Sequence, residues 1–262
     1  MPIRMHFLKR IVDLLITLII WIYFIPGFLL FFSPLYLAAF IFSSNREIAF
    51  QWLNSLYYRS FLCLVRALVP GLKIRTQDGL TSIRSSVIVC NHLSYLDPIL
   101  LISLFPRHKT IVKNIFFKMP VFGWMLKTSG YIPSSSGGNA SSGIIENMER
   151  MGDYLSSGGN LFIFPEGTRS RDGKIGKFND GAFKIARRFQ APIKVLQIKN
   201  TNVLFTPGKF LFNTCNQNTI EVRLIENLNP DYKSDTFSIS GFVDQVRALY
   251  IAVDPHRHFV KA

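Results

Sequence analysis

The sequence predicts an α/β fold: a mostly parallel or mixed central sheet flanked by helices, preceded by an N-terminal apolar helical membrane segment. Three observations predict it. From about residue 85 short apolar runs alternate with polar turns and helical patterns, the signature of strands and helices packed in layers. Apolar residues make up 48% of the 262, with 24 Phe among them, which is ample for one good-sized core and excludes a disordered chain. Between Arg10 and Arg46 the chain is almost continuously apolar.

The first element is that apolar run, Ile11 to Phe42, interrupted by Asp13, Thr17, Pro26-Gly27 and Ser33-Pro34. It far exceeds the roughly 7–15 apolar residues of a secretory leader, and no small-residue cleavage site follows it. One membrane span takes about 20 residues and two take about 40 plus a turn, so the run is long for one and short for two. Arg4, Lys9 and Arg10 precede it, and Arg46, Arg59 and Arg66 follow it. Positive residues mark the cytoplasmic side, so both flanks ask for the same side. That pattern predicts a helical hairpin bent near Pro26-Gly27, where proline removes a donor. A single tilted span beginning near Leu14 is the other solution. Residues 1–45 form this membrane unit, 46–84 an amphipathic helix with its connector, and 85–262 the α/β domain.

The amphipathic helix places Trp52, Leu53, Leu56, Tyr57, Phe61, Leu64, Val65 and Leu68 at helical spacing and is stopped by Pro70-Gly71. It either lies on the bilayer or packs on the domain. Then come strand Ser86–Cys90, the polar Asn91–Pro98 stretch and an apolar run, and a strand around Thr110–Val112. A polar loop over Ser134–Gly143 follows, then a helix over 144–156 with Ile144, Ile145, Met148, Met151 and Leu155 on one face. Strand Leu161–Phe164, a basic amphipathic helix Gly181–Phe189, strands Ile193–Ile198 and Thr219–Ile225, and a closing helix over 236–252 complete the domain.

Charge and cysteine usage set the partners and compartment. The formal net charge is +14, so the chain suits an anionic partner. Joined to so apolar an N-terminus, that balance favours anionic membrane lipid, or an acidic carrier protein, and no nucleic acid. Cys63, Cys90 and Cys215 are odd in number and far apart, which reads as reduced thiols, three buried small hydrophobes, rather than a disulfide framework or zinc site. His256 and His258 have no ligand partner at metal spacing and read as a solvated tail, so no metal site is expected.

Two motifs carry chemistry, each just after an apolar strand. In Asn91-His92-Leu93-Ser94-Tyr95-Leu96-Asp97, imidazole suits general-base work because it titrates near neutral pH, and a carboxylate can hold its tautomer. The same pair also fits a helix cap, with Asp97-Pro98 opening the next helix. In Phe164-Pro165-Glu166-Gly167-Thr168-Arg169-Ser170, the glycine permits close backbone approach, successive amides can cradle an anion, and arginine offers a rigid fork. An ordinary exposed turn has the same composition. No G-x-S-x-G is present. Gly167 to Gly173-Lys174 has the wrong spacing for a phosphate loop, and Ile175 stands where Ser or Thr is required. Ser94 reads as solvent-facing or capping, and Arg187-Arg188 as facing solvent or lipid headgroups.

Together and in this order, NHxxxxD and FPEGTRS resemble the lysophosphatidic acid acyltransferase (PlsC-like) family of glycerolipid acyltransferases. The resemblance runs from about Ser86 to Asn200 and includes Lys113, Pro120, Gly123, the Phe178-x-x-Gly181 step and Ala191-Pro192-Ile193. It implies an enzyme at the inner or cytoplasmic membrane, facing the cytoplasm. There His92 would deprotonate the hydroxyl of a lysolipid, Asp97 would orient His92, and the hydroxyl would attack the thioester of acyl-CoA or acyl-carrier protein. Asn91, Lys113, Glu166, Gly167, Thr168 and Arg169 would bind substrate. The thioester is a co-substrate and no cofactor is implied. Family members commonly carry G-x-I-P/F-V-D-R in the middle block. Here the stretch is Gly130-Tyr131-Ile132-Pro133-Ser134-Ser135-Ser136, so Ser136 replaces an arginine contact worth about 1.5–3 kcal/mol. Asn179 likewise stands where relatives often carry lysine. These departures leave three readings: acylation of 1-acyl-glycerol-3-phosphate, acylation of a lysolipid without a phosphate monoester, or a non-catalytic membrane-surface adaptor. The last has no use for His92, Asp97, Glu166 and Arg169 together.

Overall fold

The computed structural model describes residues 3–134, 150–170 and 174–253. Its helices and strands run, in chain order, α1 (Ile3–Ile22), a π-helical stretch (Tyr23–Phe32), α2 (Ser33–Phe42), α3 (Arg46–Leu68), β1 (Leu72–Thr76) and β2 (Val87–Cys90). There follow α4 (Leu96–Leu104), β3 (His108–Lys113), α5 (Asn114–Phe117), α6 (Phe122–Thr128), β4 (Ile132–Ser134), α7 (Met151–Ser156) and β5 (Asn160–Ile163). The chain continues through α8 (Gly181–Arg188), β6 (Ile193–Lys199), α9 (Thr201–Leu204), β7 (Asn218–Leu228) and α10 (Ile239–Val253).

The seven strands form one sheet in the order β1-β7-β6-β2-β5-β3-β4. Every neighbouring pair is parallel except β6 with β7. The period of two along a strand divides the core. Ile88, Cys90 and Phe162 face the layer containing α3 and α4. Val87, Val89, Leu161 and Ile163 face the layer containing α7, α8 and α10. β2, β5 and β6 are the middle strands, and the site lies at their carboxyl ends.

Three expectations are revised and one open alternative is decided. The hairpin near Pro26-Gly27 does not form: one helix of 36 residues runs from Phe7 to Phe42, and the π-helical stretch takes up Pro26 without reversing the chain. Both halves are held by the same domain surface. Trp21 packs against Phe205, Phe210 and Phe212, Phe24 and Phe28 against Tyr57, and Tyr36 and Phe40 against Phe50. The stretch expected as a connector after α3 contains β1, which pairs with β7. α3 packs into the domain, burying Phe50, Leu53, Tyr57, Phe61, Leu62 and Val65. Of the cysteines only Cys90 is buried, while Cys63 and Cys215 are exposed.

The helix expected over 144–156 is described only from Met151 to Ser156, with Met151 and Leu155 buried as expected. Ile144, Ile145, Met148, most of the Ser134–Gly143 loop, Gly173 and the His256 and His258 tail lie outside the described residues.

Candidate active site

β2 ends at Cys90, and the next five residues turn the chain into α4. Asn91 anchors the turn: its buried side chain donates to the Ile198 carbonyl (2.9 Å) and accepts from the Ile198 amide (2.8 Å). The turn is thereby stapled to β6. Asp97 lies in the first turn of α4, where the helix dipole favours negative charge. It is fully buried. Its Oδ2 accepts from His92 Nδ1 (2.9 Å), Leu93 N (2.5 Å) and Ser94 N (2.7 Å). Its Oδ1 accepts from Thr201 Oγ1 (2.5 Å).

These contacts fix the imidazole. A carboxylate only accepts, so Nδ1 carries a proton, and in the neutral ring the lone pair is on Nε2. Phe164 stacks on the ring at 4.2 Å and 20°, while the His92 side chain remains 17% exposed. A histidine held by a carboxylate on one nitrogen and partly open to solvent can take a proton from a hydroxyl.

The second motif is sewn to the first. Glu166 turns its carboxylate inward, accepting from His92 N (2.9 Å) and Gly176 N (3.2 Å). Ser170 N donates to the His92 carbonyl (2.8 Å). The Arg169 guanidinium lies over the Tyr95 ring, 3.4 Å from its centroid. Gly167 takes φ +66°, a conformation that favours glycine, and an added Cβ would stand 3.0 Å from Asn179 Nδ2. Asn179 braces this turn, its backbone amide (2.8 Å) and side chain (3.0 Å) both donating to the Pro165 carbonyl. Gly167 and Thr168 are exposed.

The structure therefore brings His92, Asp97, Asn91, Glu166 and Arg169 into one linked cluster. Lys113 stands exposed at the end of β3, two strands from β2 in the sheet. Ser135 and Ser136 lie outside the described residues. Ser94 is not solvent-facing. It is buried, donates to the Phe205 carbonyl (2.7 Å) and accepts from Leu96 N (3.3 Å), so only the capping part of its expected role is present. Burial pushes the Cys90 thiol well up, and the nearby Asp97 and Glu166 push it further, so this cysteine is no nucleophile.

Three participants were not singled out in the sequence: Thr201, which lies outside both motifs, and, within them, Phe164 as the ring's cover and Tyr95 as the guanidinium's platform. Thr201 had one available signal, its place just past an apolar strand.

The chain resembles known proteins in sequence and fold. Residues 71–199 match the model of the Acyltransferase family. The chloroplastic 1-acyl-sn-glycerol-3-phosphate acyltransferase of Brassica napus is 35% identical over 135 residues, 50% of this chain and 39% of that protein. Its Arabidopsis thaliana counterpart is 33% identical over 146 residues, 54% and 40% respectively. The matched part thus spans about two fifths of the length of these relatives. A crystal structure of the 1-acyl-sn-glycerophosphate acyltransferase PlsC from Thermotoga maritima superposes with a TM-score of 0.68. The alignment covers 92% of this chain and 97% of that one at 19% identity, which establishes the shared fold.

Proposed function

We propose that the chain, whose residues 71–199 match the Acyltransferase family model, moves a fatty acyl group onto the free hydroxyl of a lysolipid. The acceptor on this reading is 1-acyl-glycerol-3-phosphate and the product phosphatidic acid. One observation carries it: a histidine whose Nδ1 is bound to a buried carboxylate sits at the carboxyl ends of the middle strands, where α/β sheets bind ligands.

Nε2 of His92 takes the proton as the acceptor oxygen attacks the thioester carbonyl. The C–O bond forms, the C–S bond breaks, and the imidazolium returns its proton to the departing thiolate. Asp97 keeps the ring aligned and balances the transient imidazolium charge. The donor is acyl-CoA or acyl-carrier protein, both polyanionic partners for a chain of net charge +14. Arg169, with the exposed Gly167–Thr168 backbone, is the element of the cluster suited to a headgroup phosphate. Glu166 and Asn91 act by holding the two turns together.

The membrane supplies the lysolipid acceptor. The helix from Phe7 to Phe42 is about 54 Å long at 1.5 Å per residue, longer than the roughly 30 Å hydrocarbon core, and its length is docked along the domain. Leu15, Leu18, Ile22, Leu29, Leu30 and Phe31 are exposed on its other side. Such a helix lies in the interface with its apolar face in the lipid. Arg10 and Arg46, exposed at its ends, meet anionic headgroups of the inner or cytoplasmic membrane, with the domain in the cytoplasm. Ile115, Met119 and Val121 of the α5–α6 segment are also exposed, and Trp124 packs on Phe40, which joins that patch to the helix.

A second reading is favoured by Asn179, which spends its side chain on Pro165 rather than offering a positive charge: the acceptor lacks a phosphate monoester. Purified protein with labelled acyl-CoA or acyl-carrier protein and a panel of lysolipids decides between them. Product from 1-acyl-glycerol-3-phosphate is expected. Product solely from another lysolipid selects the second reading, and none from any acceptor rejects both.

A further inference from the structure

The apolar helix carries three polar side chains for which a lipid anchor has no use. Lys9, Asp13 and Thr17 recur every fourth residue and share one face. That face is turned to the domain: Asp13 and Thr17 are 5% and 0% exposed. Asp13 Oδ1 accepts from Thr214 N (2.8 Å) and Thr214 Oγ1 (2.6 Å). Thr17 Oγ1 accepts from Phe212 N (2.9 Å). Lys9 donates to Asp13 Oδ2 (2.6 Å) and Asn213 Oδ1 (2.7 Å).

The segment so gripped is the returning limb of a compact loop, residues 201–214. Asn213 N donates to the Leu204 carbonyl (2.8 Å), its side chain to the Val203 carbonyl (3.2 Å), and Phe212 stacks on Phe205 at 4.3 Å. The outgoing limb holds the catalytic turn. Thr201 donates to Asp97 Oδ1, and the Phe205 carbonyl receives Ser94 Oγ. A continuous chain of hydrogen bonds and one ring stack therefore runs from the buried face of the helix to the carboxylate that aligns His92.

We infer that the N-terminal helix is a part of the active site as well as an anchor. Asp13 and Thr17 are positioning residues that act through the 201–214 loop on Asp97. This deepens the proposed function and rests on His92 being the base. The helix faces lipid on one side and clasps the loop on the other, so seating in the membrane and alignment of the catalytic pair are coupled through one rigid element.

The test uses the full chain in detergent micelles, where bilayer attachment no longer limits access to substrate. Thr17→Val keeps shape and removes the acceptor, while Asp13→Leu removes both carboxylate oxygens. Each is expected to lower kcat about 10–100-fold, as small misplacements of catalytic groups do, with acceptor KM within about twofold. Each is also expected to shift or broaden the His92 Nδ1–H resonance in nitrogen-15-labelled protein. Asp13→Asn retains an oxygen acceptor for Thr214 and is expected to restore both. Leu15→Ser with Ile22→Ser, on the exposed face, is expected to release the protein from anionic vesicles while leaving kcat in micelles unchanged. Thermal unfolding reports whether each variant is folded, and if Asp13→Leu is not, Thr17→Val decides. Folded Thr17→Val protein with wild-type kcat and an unmoved resonance overturns the inference. Wild-type protein that acylates nothing rejects the proposed function instead, and the resonance then decides the positioning role alone.

Discussion

Two histidines next to strands of the same sheet use the same tautomer for opposite ends. His92 follows β2 and His108 opens β3. His108 Nδ1 faces the Phe105 carbonyl (2.6 Å), which only accepts, so Nδ1 carries the proton and Nε2 accepts from the Tyr131 hydroxyl (2.5 Å). His92 Nδ1 likewise donates, but to the Asp97 carboxylate. The differences are the charge of the partner and access to the second nitrogen. His108 is fully buried between neutral partners, and burial pushes its pKa down to about 4, which keeps it a neutral link in a polar core. It connects through Tyr131 and Asn54 to Tyr36 of the N-terminal helix. His92 has a counter-ion for the charge it would acquire and a face open to solvent. A carboxylate partner and access to solvent, rather than the tautomer, separate His92 from His108, and they are what the proposed base requires.

The contrast can be broken most sharply at Asp97. Asp97→Asn places an amide where four donors converge, and acyl transfer is expected to fall about 10²–10⁴-fold. His108→Gln is expected to keep most of the activity per folded molecule. Equal losses in steady-state kcat would erase the distinction.

The next effect is on stability. Between 6.5, the ordinary histidine value, and about 4 the unfolded chain holds a proton on His108 that the folded chain excludes. Stability therefore falls as pH drops through that window, by about 3 kcal/mol in all, and no further below it. Denaturant titrations across pH 4–7 are expected to show this slope, and to show it flattened in His108→Gln.

Smaller effects sharpen the catalytic side. Thr201→Val removes one of the donors to Asp97 and is expected to lower kcat about tenfold with KM unchanged. Arg169→Lys gives up the planar stack on Tyr95 and is expected to raise acceptor KM about threefold to tenfold at similar kcat. An Arg169 effect confined to kcat would move that residue from recognition to chemistry.

Much of this was legible in the sequence, and the reasons differ by region. β2 and β5 are short and wholly buried, apolar apart from Asn160 at the start of β5, and each leads into its motif, so strand and site were read together. β1 was hidden because it is an edge strand with one buried residue, Leu72, and otherwise partly or fully exposed positions. Its pairing to β7 spans most of the chain. The hairpin was expected because positive residues at both flanks ask for the same side, with the bend placed at Pro26-Gly27 because proline disrupts an α-helix by about 3 kcal/mol. The chain instead adopts a π-helical stretch there, and packing of aromatic residues from the stretch and from α2 against α3 holds the helix along the domain. Asp13 and Thr17 were visible as interruptions, but their partners at 212–214 lie some two hundred residues away. Glu166 shows a limit of motif reading: the residue type was identified, while its work, accepting from the His92 amide, depends on how two turns meet.

The central claim is that His92 is the base for acyl transfer to a lysolipid hydroxyl. Its most direct test is product formation from labelled acyl donor and 1-acyl-glycerol-3-phosphate by wild-type protein and by folded His92→Ala, side by side. Phosphatidic acid from the wild type, with a rate about 10²–10⁴-fold lower in the variant, is the predicted result. Equal rates from the two proteins would contradict it.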